Sequence, residues 1–215
     1  MTALRIYELS QCIENGMTFF PGDPEPRIEP APAAAAPWRV SQLHLGTHTG
    51  THVDAASHFY PNGKTIDQYT LDRFILPGVV AAALNLADDQ PIGPQLLAEA
   101  LAQLPKGGAL VIRTDWDRSW RTDRYRRHPH LSPEAAQALV AEGVGLIAID
   151  ALNPDSTVQE TSHVHEILLG NDILIVENLT GLAQLQAGRI YRFSFTPLLL
   201  RALDGSPVRA VAWEI

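Results

Sequence analysis

Residues 44–59 read His44-Leu-Gly-Thr-His48-Thr-Gly-Thr-His52-Val-Asp54-Ala-Ala-Ser-His58-Phe59, and they hold half of the chain's eight histidines. At period two, His44, His48, His52, Asp54 and His58 share one side with Gly46, Gly50 and Ala56. A helix would also stack residues four apart, but the β-branched Thr47, Thr49, Thr51 and Val53 and the two glycines argue against one. A straight strand would hold His48 and His52 roughly 13 Å apart. Two donors on one zinc ion lie only about 3–3.5 Å from each other. The chain must therefore turn sharply between the two histidines, and Gly50 is free to take the backbone there. This predicts a strand running into a tight metal-binding loop. Imidazole and carboxylate with no thiolate suit Zn, Mn or Fe, and not a structural Cys-type zinc.

His48-Thr-Gly-Thr-His52-Val-Asp54-Ala-Ala-Ser-His58-Phe59 resembles the signature of the metal-dependent cyclase family, which includes bacterial kynurenine formamidases (arylformamidases) and isatin hydrolases. Phe20-Pro21-Gly22-Asp23-Pro24 is similar to the family's aromatic-Pro-Gly-Asp turn. His165-Glu-Ile-Leu-Leu-Gly170 and Ile173-Leu-Ile-Val-Glu177 resemble its second ligand block. Ala55-Ala56 depart from the Pro or Gly-Pro that the family usually carries after the Asp.

The resemblance implies that His48, His52 and Asp54 hold a first divalent metal. Asp54 would bridge to a second, completed by His165 and Glu177, so one or two ions per chain, Zn or Mn, are expected. A carboxylate can bridge because it offers two oxygens. His58 would stay off the metal as the acid/base, a role that suits an imidazole near working pH. Phe20 would line the substrate pocket. His163 does not match the pattern, and Asp150 and Asp155, around Asn153-Pro154, carry no assigned chemistry.

At 215 residues, 46% of them hydrophobic and 19% charged, the chain has the composition of an ordinary globular domain. No run approaches a membrane span, and the N-terminal residues lack a signal-peptide layout. The single cysteine, Cys12, excludes an internal disulfide framework and fits a reducing, cytoplasmic compartment. A net charge of -8 disfavours a nucleic-acid partner, since no basic stripe is available to neutralise phosphates.

Residues 4–10 are expected as a strand with Leu4, Ile6 and Leu9 on one side, and Pro30–Pro37 as an irregular surface connection or flap. A strand should run from Trp38 into the histidine loop. Further strands are expected over Val79–Leu86, Ala109–Arg113, Val144–Ile149, Ile173–Val176, Ile190–Phe195 and Val208–Ala212. Helices are expected over Gly93–Leu104 and from the N-cap Ser132 to about Glu142, with a helical turn ending at Gly170. The pattern gives a single mixed α/β domain over residues 1–215. The resemblance implies the swivelling β/β/α type, with sheets and helices on one side, assembled as a homodimer or homotetramer.

The function so expected is a metal-dependent hydrolase of a small amide, formamide or lactam, arylformamidase-like and acting on carbon–nitrogen bonds other than peptide bonds. The metal would make hydroxide available at neutral pH and polarise the carbonyl. Alternatives are an isatin hydrolase-like lactam hydrolase, a cyclase or dehydratase of the same family, or a catalytically idle metal- or ligand-binding module.

Overall fold

The structure is a computed structural model that describes residues 4–32 and 37–215. In chain order the strands are β1 (Ile6–Glu8), β2 (Arg27–Pro30), β3 (Ser41–His44), β4 (His52–Asp54), β5 (Ile75–Ala82), β6 (Pro91–Ile92), β7 (Ala109–Arg113), β8 (His130–Leu131), β9 (Leu146–Ile149), β10 (Leu174–Glu177), β11 (Ile190–Ser194), β12 (Gly205–Pro207) and β13 (Val211–Glu214). The α-helices are α1 (Ala98–Leu101), α2 (Pro133–Ala141) and α3 (His163–Gly170).

Nine strands form one curled mixed sheet in the order β1-β13-β11-β5-β7-β9-β10-β4-β12. Its centre, β5, β7, β9 and β10, is parallel, and the flanking pairings are antiparallel. The central strands are unbroken apolar runs, such as Ala-Leu-Val-Ile over 109–112, because both faces are covered. Alternation sends Ala109 and Val111 into one core with Val53, Val176 and Phe193. Leu110 and Ile112 go into the other, with Ile147, Ile175 and the apolar sides of all three helices. The α-helices thus lie on one side of the sheet.

Helix α2 follows its local signals. Ser132 Oγ accepts from the Ala135 N–H (3.2 Å) and Pro133 takes the first helical position. Other expectations need correction. In β1 the inward residue is Tyr7, with Leu9 just past the strand buried as expected, whereas Leu4 and Ile6 are exposed. A one-residue change of facing moves the whole set to the other side, and the Tyr7 ring, packed edge-on to Tyr191, decides which face is buried. The expected helix over 93–104 is a 3₁₀ turn (Pro94–Leu96) followed by only the short α1. The strand expected from Trp38 is limited to β3, which pairs with β2 outside the main sheet and buries neither face. Of the expected Ala/Pro flap, residues 33–36 lie outside the described residues, and Pro30 ends β2. Of the strand expected over Val208–Ala212 only Val211 and Ala212 lie in one, β13, with β12 ending before it at Pro207, and the strand expected over Val79–Leu86 lies earlier, at Ile75–Ala82.

Candidate metal centre

Between β3 and β4 the chain turns at His48 and Gly50, where Gly50 takes φ +63°. This brings the His48 and His52 rings to 5.0 Å between centroids. His52 and Asp54 are not in a loop, as expected, but on β4, which is hydrogen-bonded on both sides by β10 and β12. A strand held on both edges fixes side-chain direction better than a loop does. Val53 points into one core, so His52 and Asp54 point to the opposite, helix-bearing side. Glu177 lies directly across from His52 in the register.

On that side α3 supplies His165 from its first turn; the helix begins earlier than the single turn expected before Gly170. Asp155 accepts from the Val164 N–H (2.9 Å) and the His165 N–H (2.9 Å), satisfying helix-start donors. It also accepts from His165 Nδ1–H (2.8 Å), which leaves Nε2 facing the centre. His52 is oriented in the same way, its Nδ1–H donating to the Gly50 carbonyl (2.8 Å). Asn178, in the left-handed region at φ +58°, donates to the same carbonyl (3.1 Å) and accepts from Tyr125.

The donor atoms converge. His48 Nδ1 is 2.7 Å from Asp54 Oδ1, and His52 Nε2 is 3.3 Å from both Asp54 Oδ1 and Glu177 Oε2. His165 Nε2 is 3.3 Å from Glu177 Oε1 and 3.7 Å from Asp54 Oδ2. These separations resemble the about 3–3.5 Å between two donors on one ion. Asp54 Oδ2 and Glu177 Oε1 are buried with no hydrogen-bond partner. Such orphaned oxygens need a cation or a proton.

The electrostatics agree. Burial pushes the Asp54 carboxyl up, but His52 and His48 outweigh it and hold it well below the usual range. Burial likewise disfavours charge on His52 and His165. Asp54 and Glu177 at His52, and Asp155, Asp54 and Glu177 at His165, raise both imidazoles well above their ordinary value. The centre therefore attracts positive charge, and a divalent ion would displace the protons. The residues present fit a metal.

His58, with a side chain 35% exposed, stands beside the centre, its ring centroid 4.0 Å from that of His48. Its donor atom lies within one possible ligand group with His48 and Asp54, while His52, Asp54 and Glu177 form another. The centre opens into a cavity of about 280 Å³ whose other walls include Phe19, Phe20 and Phe59. His163 is exposed, and His44 sits on β3, bonded to Gln42. Asp150 ties the ends of β7 and β9 together by accepting from Thr114 and Asp115.

Sequence reading did not assign Asp155, Asn178 or Asp204. Asp204 Oδ2 accepts from His48 Nε2–H at 2.9 Å, across 156 residues of chain, so no local spacing could reveal it.

A curled mixed sheet with this donor set defines a class, and the comparisons name the family. The family model described as "Putative cyclase" matches residues 7–156, and the chain belongs to that family. The kynurenine formamidase of Bordetella avium (strain 197N) is 32% identical over 98% of this chain and 99% of its own length. The Bordetella pertussis (strain Tohama I / ATCC BAA-589 / NCTC 13251) kynurenine formamidase is 30% identical, again over 98% and 99%. Isatin hydrolase A from Labrenzia aggregata, bound to benzyl benzoate, has the same fold: TM-score 0.86 at 24% identity, covering 98% of this chain and 94% of that one.

Proposed function

We propose that this chain is an arylformamidase that hydrolyses N-formylkynurenine or a close aryl formamide. It is a metal-dependent hydrolase acting on carbon–nitrogen bonds other than peptide bonds. One observation carries the reading: three imidazoles and two carboxylates meet in a buried centre with two unpaired oxygens, at the mouth of an aromatic-walled cavity. The 32% identity with a kynurenine formamidase along almost the whole chain supports this substrate over others.

His48, His52 and Asp54 would hold the first divalent ion, Zn or Mn, and His165 and Glu177 with Asp54 a second. When bound, the ion supplies a water of lowered pKa and polarises the formyl carbonyl. The chain's own groups do the rest. Phe20 packs against the aryl ring and keeps bulk water from that wall of the cavity. As water adds to the formyl carbon, His58 takes a proton from it; the C–N bond then breaks, His58 passes that proton to the departing aryl amine, and formate is left.

Residues 1–215 form one catalytic domain, placed in the cytoplasm. Among the described residues no helix is long and apolar enough to cross a membrane. The protein assembles as a homodimer or homotetramer. The exposed Leu43 on the β2–β3 hairpin, Trp38 and Val40 just before β3, and Leu199 support a self-association surface.

The test is turnover of N-formylkynurenine, isatin and simple esters and amides by protein loaded with Zn or with Mn. Formate release from the first is expected. Turnover of isatin alone would make it a lactam hydrolase. Turnover of only an aliphatic amide or lactone would reject the arylformamidase reading, and metal uptake without any turnover would leave a binding module.

A further inference from the structure

We infer that Asp204 is a positioning residue that ties the ligand His48 to the acid/base His58 through a single carboxylate oxygen. The inference rests on the ligand and acid/base roles given to those two histidines above. Oδ2 accepts from His48 Nε2–H at 2.9 Å and lies 3.4 Å from His58 Nδ1. A carboxylate only accepts, so each ring must present an N–H to it. Asp54 Oδ1 stands 2.7 Å from the other His48 nitrogen, Nδ1, so the Nδ1 proton is the one a divalent ion would displace, while Asp204 holds the Nε2–H. His58 is left with Nε2 bare.

The surroundings hold this arrangement in place. The Asp204 carbonyl accepts from the Ala55 N–H (2.9 Å) and the Leu203 carbonyl from the Ile66 N–H (2.8 Å). One residue earlier, Ala202, at φ +57°, donates its N–H to Asp67 Oδ1 (3.0 Å). Gly205 then enters β12 directly opposite Asp54. A Cβ at Gly205 would stand 2.9 Å from His48 Cε1 and 2.8 Å from the Val53 carbonyl oxygen, so the lack of a side chain lets the His48 ring lie against this strand. The Asp-Gly pair thus supplies both the acceptor and the room for the ring. Partners of metal-ligating histidines set the tautomer and raise affinity, and their loss costs roughly 10–100-fold in metal binding or activity.

The test uses full-length protein labelled with 15N-histidine and loaded with Zn, read by long-range 1H–15N correlation. His48 is expected with its proton on Nε2 and His58 with its proton on Nδ1. Asp204→Ala should move His58 to the Nε2–H form and weaken Zn binding, measured against a competing chelator, by roughly 10–100-fold. On whichever substrate is turned over, kcat should fall with KM within about twofold. Asp204→Asn, which keeps one acceptor oxygen, should recover most of the Zn affinity. The tautomers are read on the unmodified protein, so the inference is tested even where Asp204→Ala fails to fold. Wild-type His58 in the Nε2–H form overturns it. So does Zn affinity in Asp204→Ala equal to wild type, or a rise in KM with kcat unchanged. Neither spectrum nor Zn titration needs a substrate, so failure to hydrolyse N-formylkynurenine leaves this result standing.

Discussion

His58→Ala separates the two things that His58 can be. As the acid/base it can be removed with the metal retained, and kcat should fall by roughly 10²–10⁴-fold. Elemental analysis of the same preparation decides the matter, because loss of metal would make His58 a ligand with His48 and Asp54. Asp155 has the opposite signature. It anchors His165 and also the start of α3, so Asp155→Ala should weaken metal uptake by roughly 10–100-fold before any effect on chemistry is seen. The difference between these residues also explains what was legible. His48, His52 and Asp54 lie within seven residues and announce themselves by type and spacing. Asp155, Asn178 and Asp204 are ordinary acids and amides in the sequence. Asn178 and Asp204 gain meaning only because β10 and β12 close on the two sides of β4, and Asp155 because it meets the start of α3.

At the scale of elements, the Gly50 turn is where backbone conformation and site meet. Gly50→Ala places a side chain at φ +63° and brings its Cβ to 3.1 Å from Met17 Cε. It should cost about 1–2 kcal/mol, measured by urea unfolding, and weaken metal binding by displacing the carbonyl that orients His52. The β7–β9 join makes a pH prediction. Burial pushes Asp150 up to about 7, against the donors of Thr114 and Asp115. Its unfolded value is about 3.9, so the native state binds this proton more tightly. The resulting stability is fully present below about pH 4 and is lost as pH rises through about 7. Asp150→Asn should flatten that slope. An identical pH dependence of the two proteins in urea melts would show that the donated hydrogen bonds keep Asp150 ionised. The central strands were readable as apolar runs. The facing of β1 and the separate β2–β3 hairpin were not, since both depend on which distant surface is available to cover a short strand.

At the scale of the molecule, the buried centre should make folding depend on metal. An ion present at 100 times its dissociation constant adds about 2.7 kcal/mol to stability. For a chain of this length, chelation should lower Tm by about 5–10 °C. Calorimetry with and without a chelator measures this, and an unchanged Tm in protein shown to have carried metal would deny the coupling. The sheet order has a second consequence. Ile6 pairs with Trp213, and β4 is flanked by β12 as well as β10. The acceptor for His48 therefore arrives with residue 204, long after the histidine loop has been made. Until residue 204 has left the ribosome, a nascent chain presents His48, His52 and Asp54 but lacks one wall of the centre. Ribosome-bound intermediates stalled with residue 204 still unexposed should therefore hold a divalent metal more weakly than the folded protein.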